Sequence, residues 1–107
     1  MLSLNEIKKI RKTFNSNKES LMVNSFKAIG DNNRHRIFKL LSIQGQMSAS
    51  DIADSLKISR PLTSQHLKIM EQANLFKKVK IGLHRFYRLN ERSPLVHVLS
   101  QTINKFS

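Results

Sequence analysis

Arg60, Ser64, Gln65 and Lys68, in the stretch "ISRPLTSQHLKIM" (58–70), fall on one side of a helix if that stretch is helical. They offer hydrogen-bond donors and acceptors, two positive charges and no acid. That set suits recognition of a polar, anionic surface. Gln pairs bidentately with adenine and Arg with guanine, Ser bonds either base, and Lys and a helix N-terminus hold phosphate. An outward face of this kind has the chemistry of a reader of the DNA major groove.

The same stretch carries a second pattern. Leu62, His66, Ile69 and Ala73 fall at i, i+4, i+7 and i+11, and Thr63, Leu67 and Met70 run beside them. The two rows make one broad inward face. Ser59 is the expected N-cap, and Pro61 sits in the first turn, where its missing N–H costs nothing. Just upstream, Ser48 with Asp51 fits a capping box in its Asp variant and opens a short helix, "ASDIADSL", with Ile52, Ala53 and Leu56 inward. Two helices joined by about four residues have the shape of a helix-turn-helix.

On either side the pattern predicts further elements. Residues 1–16 read as an amphipathic helix with Leu4, Ile7, Ile10 and Phe14 on one side. "NSNKES" (15–20) reads as a polar break, followed by a helix with Leu21, Met22, Phe26 and Ile29 that ends near Gly30 as its C′ residue. Asp31 is placed to cap the next helix, whose inner stripe is Ile37, Leu40, Leu41 and Ile43 and which ends at "QGQ" (44–46). After "EQANL" the period shortens to two. Lys77, Val79 and Ile81 alternate with Lys78 and Lys80, "GLH" turns, and "RFYRL" (85–89) returns, which predicts a basic hairpin. A last helix over 94–106 carries Leu95, Leu99, Ile103 and Phe106.

The expected fold is mainly α: a winged helix-turn-helix of about five to six helices with a two-stranded wing. It is expected as a single domain over 1–107, with the helix-turn-helix at 48–73 and the wing at 76–89. The end helices, 1–16 and 94–106, are the expected dimerisation helices.

Composition agrees with a polyanionic partner. Nineteen Lys and Arg against seven Asp and Glu give a formal charge of +12. The excess is concentrated. From Ser55 to Asn90 there are eight basic residues and one acid, Glu71, whereas an ordinary solvated surface mixes its signs. The absence of cysteine excludes disulfides and thiolate sites. No apolar run reaches membrane-span length and "MLSLNEIKKIRKTF" has no signal-peptide core, so the expected location is the cytoplasm, with no membrane partner. An enzyme is not expected. Asp51 and Asp54 are the only closely spaced carboxylates in the central region, and solvation and capping explain them; no cofactor motif is present, and no cofactor is expected.

These residues resemble a known family. "KAIGD…R.RIFKLL", "DIA..L.IS…TSQHLK.ME.A.L" and "…G…FYRLN" follow one another from about Leu21 to Asn90 as in the ArsR/SmtB family of small winged-helix repressors. The resemblance implies a homodimer that binds double-stranded DNA at an inverted-repeat operator and is commonly released by a ligand. By position, Ser64, Gln65 and His66 fall where that family's recognition helix meets bases. The helical wheel instead sets His66 at the border of the buried face, leaving it either a contact or a packing residue. With them, the candidate DNA-contact set on the helix is Arg60, Pro61, Thr63 and Lys68, and on the hairpin Lys77, Lys78, Lys80, His84 and Arg85. Lys57 departs from the pattern, because glycine is common at that turn; a positive φ there costs lysine on the order of 1 kcal/mol.

The sensing sites are where the departure is largest. Where many members carry a cysteine pair, this chain has Ser48 and Ser50, poor ligands for a soft metal. On the closing helix His97 is followed by Ser100 and Gln101, and one histidine does not make a zinc site, although a site completed by another subunit stays open. No metal site is expected. A two-fold dimer through Ile7, Ile10 and Phe14 and through Leu95, Leu99, Ile103 and Phe106 would cover both end helices. It would set two recognition helices about 34 Å apart, one turn of DNA. The alternatives are that these helices complete the monomer core, and that the winged helix contacts protein or RNA instead of duplex DNA.

Overall fold

The computed structural model describes residues 1–14 and 17–105, with the side chains of all of these except 17–19 and 21. In chain order the elements are α1 (Leu4–Thr13), α2 (Asn17–Gly30), α3 (Asn32–Gln44), β1 (Gln46–Met47), α4 (Ala49–Leu56), α5 (Arg60–Gln72), β2 (Phe76–Ile81), β3 (His84–Leu89) and α6 (Pro94–Lys105). The sheet is antiparallel in the order β1-β3-β2. This is a winged helix-turn-helix, with α4 and α5 as the paired helices and β2–β3 as the wing. The expected two-stranded wing gains a third strand, since Gln46 and Met47 pair with Arg88 and Tyr87. Two residues are too short a run to show a strand period in sequence.

Local chemistry accounts for most boundaries. Ser3 and Glu6 form a reciprocal capping box at α1, the Glu6 N–H donating to Ser3 Oγ and the Ser3 N–H to Glu6 Oε1. At α4 only half of the expected box forms: the Asp51 N–H donates to Ser48 Oγ at 3.1 Å. Aspartate is one methylene shorter than the glutamate of the full motif. Ser59 caps α5 through the Leu62 N–H, with Pro61 in the first turn. Gly30 is the last residue of α2 rather than a left-handed C′, because Asp31 at once takes up the cap of α3. The polar break at 15–20 is narrower than expected, since α2 already runs from Asn17; residues 15 and 16 lie outside the described residues.

Both helices of the motif end on a left-handed residue. Lys57 has φ 55° and ψ 46°, and its turn closes with the Ile58 N–H on the Ala53 carbonyl. At the end of α5, Asn74 has φ 62°; its N–H donates to the Glu71 carbonyl and the Leu75 N–H to the Met70 carbonyl. That is the Schellman pattern, with asparagine in the position it tolerates. Leu75 and Phe76 then enter the core, and Asn90 ties the far end of the hairpin back, its N–H on the Leu75 carbonyl and its Nδ2 on that of Asn74.

The core gathers Ile37, Phe38 and Leu41 of α3, Ile52 of α4, and Leu67 and Met70 of α5. The expected α3 stripe needs correction, because Ile43 is exposed and Phe38 holds the centre. Five residues on, Ile43 lies about 140° round the helix from Phe38, outside the buried row of Ile37, Phe38 and Leu41. α1 buries none of its residues.

Two stability outcomes follow. The Asp31 carboxyl is held below its ordinary pKa, chiefly by the Arg34 backbone N–H it accepts at 3.1 Å; burial opposes this, and the Arg34 charge adds to it. A lowered folded pKa means stability present above the unfolded value, about 3.9, and lost as pH falls through the folded one. Asp31→Ala should therefore cost about 1 kcal/mol near neutrality, and urea titrations of both proteins should show the gap narrowing in acid. Lys57→Gly should raise the unfolding free energy by up to about 1 kcal/mol, by relieving the left-handed strain. A decrease in the denaturation midpoint would count against that strain.

Candidate nucleic-acid interface

The rotational setting of α5 sorts the candidate residues. Thr63, Leu67 and Met70 are sealed inside, and the opposite side leaves Arg60, Pro61, Ser64, Gln65 and Lys68 exposed. Two candidates are corrected here. Thr63 is 0% exposed and donates its hydroxyl to the Ser59 carbonyl at 2.8 Å, which closes the first turn of the helix. His66 is 6% exposed, with Nδ1 3.2 Å from an Arg34 guanidinium nitrogen and 4.0 Å from Asp31 Oδ1. Both side chains point into the protein, so of the two roles the wheel left open for His66 the structure takes packing.

The hairpin is sorted by its pleat. The register pairs Lys80 with Arg85, Lys78 with Tyr87 and Phe76 with Leu89 on one face; it pairs Lys77 with Arg88, Val79 with Phe86 and Ile81 with His84 on the other. The first face is turned toward α5. There Ser64, Lys68 and Gln72 line a groove of 330 Å³ with Lys78 and Tyr87. Lys78 Nζ lies 3.3 Å from Glu71 Oε2, an ion pair that is not aligned as a hydrogen bond. The one acid of the basic window is therefore directed at the wing. Lys80 and Arg85 continue that face outward and are exposed, while Lys77 and His84 lie on the opposite face with Arg88.

Like charges directly opposite one another destabilise a strand pair, and this hairpin has two such pairs, Lys80–Arg85 and Lys77–Arg88. A bound polyanion relieves that repulsion. The turn between the strands is two residues, with Gly82 at φ 63° in its first position, the geometry of a type II′ turn. It carries Leu83, 93% exposed, at the wing tip. Tyr87 and Leu83 were not singled out from sequence; only their places in the hairpin register bring them to this surface.

The family model described as "Bacterial regulatory protein, arsR family" matches residues 31–78, which run from the cap of α3 into the wing. The transcriptional repressor SdpR of Bacillus subtilis (strain 168) is 41% identical over 83 residues, covering 78% of this chain and 86% of the relative. The chain belongs to the ArsR family. Among solved structures, HlyU from Vibrio cholerae N16961 superposes with a TM-score of 0.73 at 22% identity, over 85% of this chain and 96% of that one. The homodimeric winged helix-turn-helix DNA-binding domain Mb0332 from Mycobacterium bovis gives 0.70 at 21% identity, over 81% and 78%. At those identities the two structures speak for the fold. Family membership makes this ArsR-family chain a DNA-binding transcriptional regulator rather than an enzyme.

Away from the basic face, this regulator's end helices divide differently from expectation. Ile7 and Ile10 of α1 and Phe14 at its C-cap stand exposed. Leu95, Leu99 and Ile103 do not: they are half-buried against the core of their own protomer, because the first turns of α6 fold back over α3. Phe106 lies outside the described residues. The exposed apolar residues beside α6 are instead Val98 and, from α2, Met22 and Phe26, around a groove of 580 Å³. Ser48 is engaged in capping α4, and among the described residues no three His, Asp or Glu come together as a metal would require. Among the described residues, no helix is long and apolar enough to cross a membrane.

The two faces of the wing make separable predictions. Lys80→Ala should weaken binding to any duplex and lower the salt slope by about one, whereas Lys77→Ala should leave both nearly unchanged. Anisotropy titrations on random duplex at several salt concentrations would read this. Equal effects of the two substitutions would mean that both faces touch DNA.

Proposed function

We propose that this ArsR-family chain is a homodimeric transcriptional repressor acting in the cytoplasm on an inverted-repeat operator, without the thiolate metal site of many members. The outward face of α5 reads bases in the major groove. The α5-facing side of the wing holds the neighbouring backbone. The observation that carries this reading is the exposed, acid-free row Arg60, Ser64, Gln65 and Lys68, continued by Lys80 and Arg85 on the wing face turned toward it.

Each exposed group has a role. Gln65 and Ser64 are the base readers, by bonds to adenine and to either purine edge. Arg60, beside the Ser59 cap, combines a guanidinium with the N-terminal end of the α5 dipole and holds phosphate or guanine. Lys68, Lys80 and Arg85 neutralise phosphates, which supplies affinity without discrimination. Pro61 holds the first turn of α5 against the sugar-phosphate backbone. Repression is the printed role of SdpR, and the fold relative Mb0332 is homodimeric. The unpacked apolar side of α1 and the groove between α2 and α6 support a second copy as the cover. Two-fold symmetry then duplicates the α5 face, which an inverted repeat matches.

The test uses duplex DNA flanking the protein's own gene against a scrambled duplex at near-physiological salt. Wild type should bind the first about a thousandfold tighter, and Gln65→Ala should cost ~1–3 kcal/mol on it but little on the scrambled control. If Gln65→Ala and Ser64→Ala leave a biological activity intact, the winged helix serves a protein or RNA contact instead.

A further inference from the structure

The helix that reads DNA is also gripped from behind, by polar groups that neither face DNA nor belong to the apolar core. Arg34 leaves the first turn of α3 and spans two acceptors. Its Nε donates to the Ala28 carbonyl in the last turn of α2 at 2.6 Å, and an Nη nitrogen donates to His66 Nδ1 on the inner side of α5 at 3.2 Å. The Ala28 oxygen is one of the last four carbonyls of α2, which their own helix leaves without partners. Asp31 steadies the arginine by accepting its backbone N–H. A second tie joins the same two helices further along: Ser25 Oγ donates to the Ala73 carbonyl at the end of α5 at 3.2 Å. α5 is thus held against α2 near its second turn and at its C-terminal end.

The histidine is costly in this place. A guanidinium has donors only, so its approach assigns Nδ1 the lone pair and leaves the ring proton on Nε2. Nε2 is buried without a hydrogen-bond partner among the described residues. A buried unpaired donor lowers stability, and an apolar side chain of similar shape would avoid the penalty. What the imidazole contributes is therefore the Nδ1 acceptor that holds Arg34. Its neighbours in sequence, Ser64 and Gln65, are the base readers, whose short-range, directional bonds a small rotation of α5 would misalign.

We propose that Arg34 and His66 are positioning residues for DNA reading. Their bridge from α2 to α5 sets the rotation of the recognition helix and is needed for discrimination between cognate and random DNA, not for the fold or for phosphate contacts. The inference rests on the reading of α5 as the recognition helix.

The test uses the full chain and the duplex that wild type enriches most from a random-sequence pool. Arg34→Lys keeps the charge but not the two-acceptor fork, His66→Leu removes the acceptor, and His66→Gln retains one. Arg34→Lys and His66→Leu should each weaken binding to the selected duplex tenfold or more, with random-duplex affinity within twofold of wild type. The double variant should lose no more than the worse single, and His66→Gln should recover most of the loss. Losses that multiply, or that fall equally on random duplex, would overturn the proposal. Should His66→Leu fail to fold, the Gln variant and nitrogen-15 spectra of the wild-type imidazole still decide it: His66 should carry its proton on Nε2 near neutral pH. A proton on Nδ1 would sink the bridge alone. Failure of wild type to enrich any duplex would sink the DNA reading, and this inference with it, whatever the tautomer.

Discussion

The sealed row Thr63, Leu67 and Met70 is the constraint on which the rest of the surface depends. These three side chains lie at i, i+4 and i+7 of α5 and are closed off by α3, α4 and the start of the wing. Close packing of the interior confines α5 to the narrow range of rotations that buries this row, and the Arg34–His66 bridge makes the finer setting within it. Once that rotation is fixed, Ser64, Gln65 and Lys68 have no direction left but outward. The polar face is thus aimed by apolar packing on its far side. The groups that would touch a partner contribute nothing to their own placement.

Charge is organised by the same logic in the sheet. A hairpin alternates its side chains between two faces, so a run of lysines and arginines is not one patch but two. β1 and the inward ends of β2 and β3 seat the hairpin on the core, and the Glu71–Lys78 pair lies between α5 and the wing. An exposed pair of this kind is worth about 1 kcal/mol or less, so its part is in orientation more than in stability. The cations further out, Lys80 and Arg85, stand opposite each other with no acid between them. Such an arrangement is unfavourable in the free protein and favourable beside a polyanion.

α2 stands between the two surfaces that matter. Through Ala28 and Ser25 it is hydrogen-bonded to the arginine behind α5 and to the end of α5 itself, and through Met22 and Phe26 it borders the apolar groove beside α6. Ser25 and Ala73, which share one of those hydrogen bonds, line that groove together with Met22 and Phe26. The helix is therefore a mechanical member as well as a connector: what packs on its apolar side bears on the same backbone that holds the recognition helix.

Residue type and spacing alone determined the helix-turn-helix, its caps at Ser48 and Ser59, the two-sided character of α5 and the hairpin that follows. Those are local or periodic properties, set by hydrogen-bonding side chains at helix ends and by burial of every third or fourth residue. The strained Lys57 turn was legible through the family resemblance, as a departure from a pattern in which glycine is common. Tertiary structure decided the rest, because it depends on neighbours distant in sequence. A wheel leaves His66 at a border; Arg34, thirty-two positions away, draws it inside. Alternation already sets Lys77 apart from Lys80; only the fold decides which of the two faces turns toward α5 and which arginine of β3 joins each. The α6 stripe at Leu95, Leu99 and Ile103 has the same pattern whether it covers its own core or a partner's, and the fold spends it on its own core. Periodicity reports that a face must be buried; it carries no information on which surface will bury it.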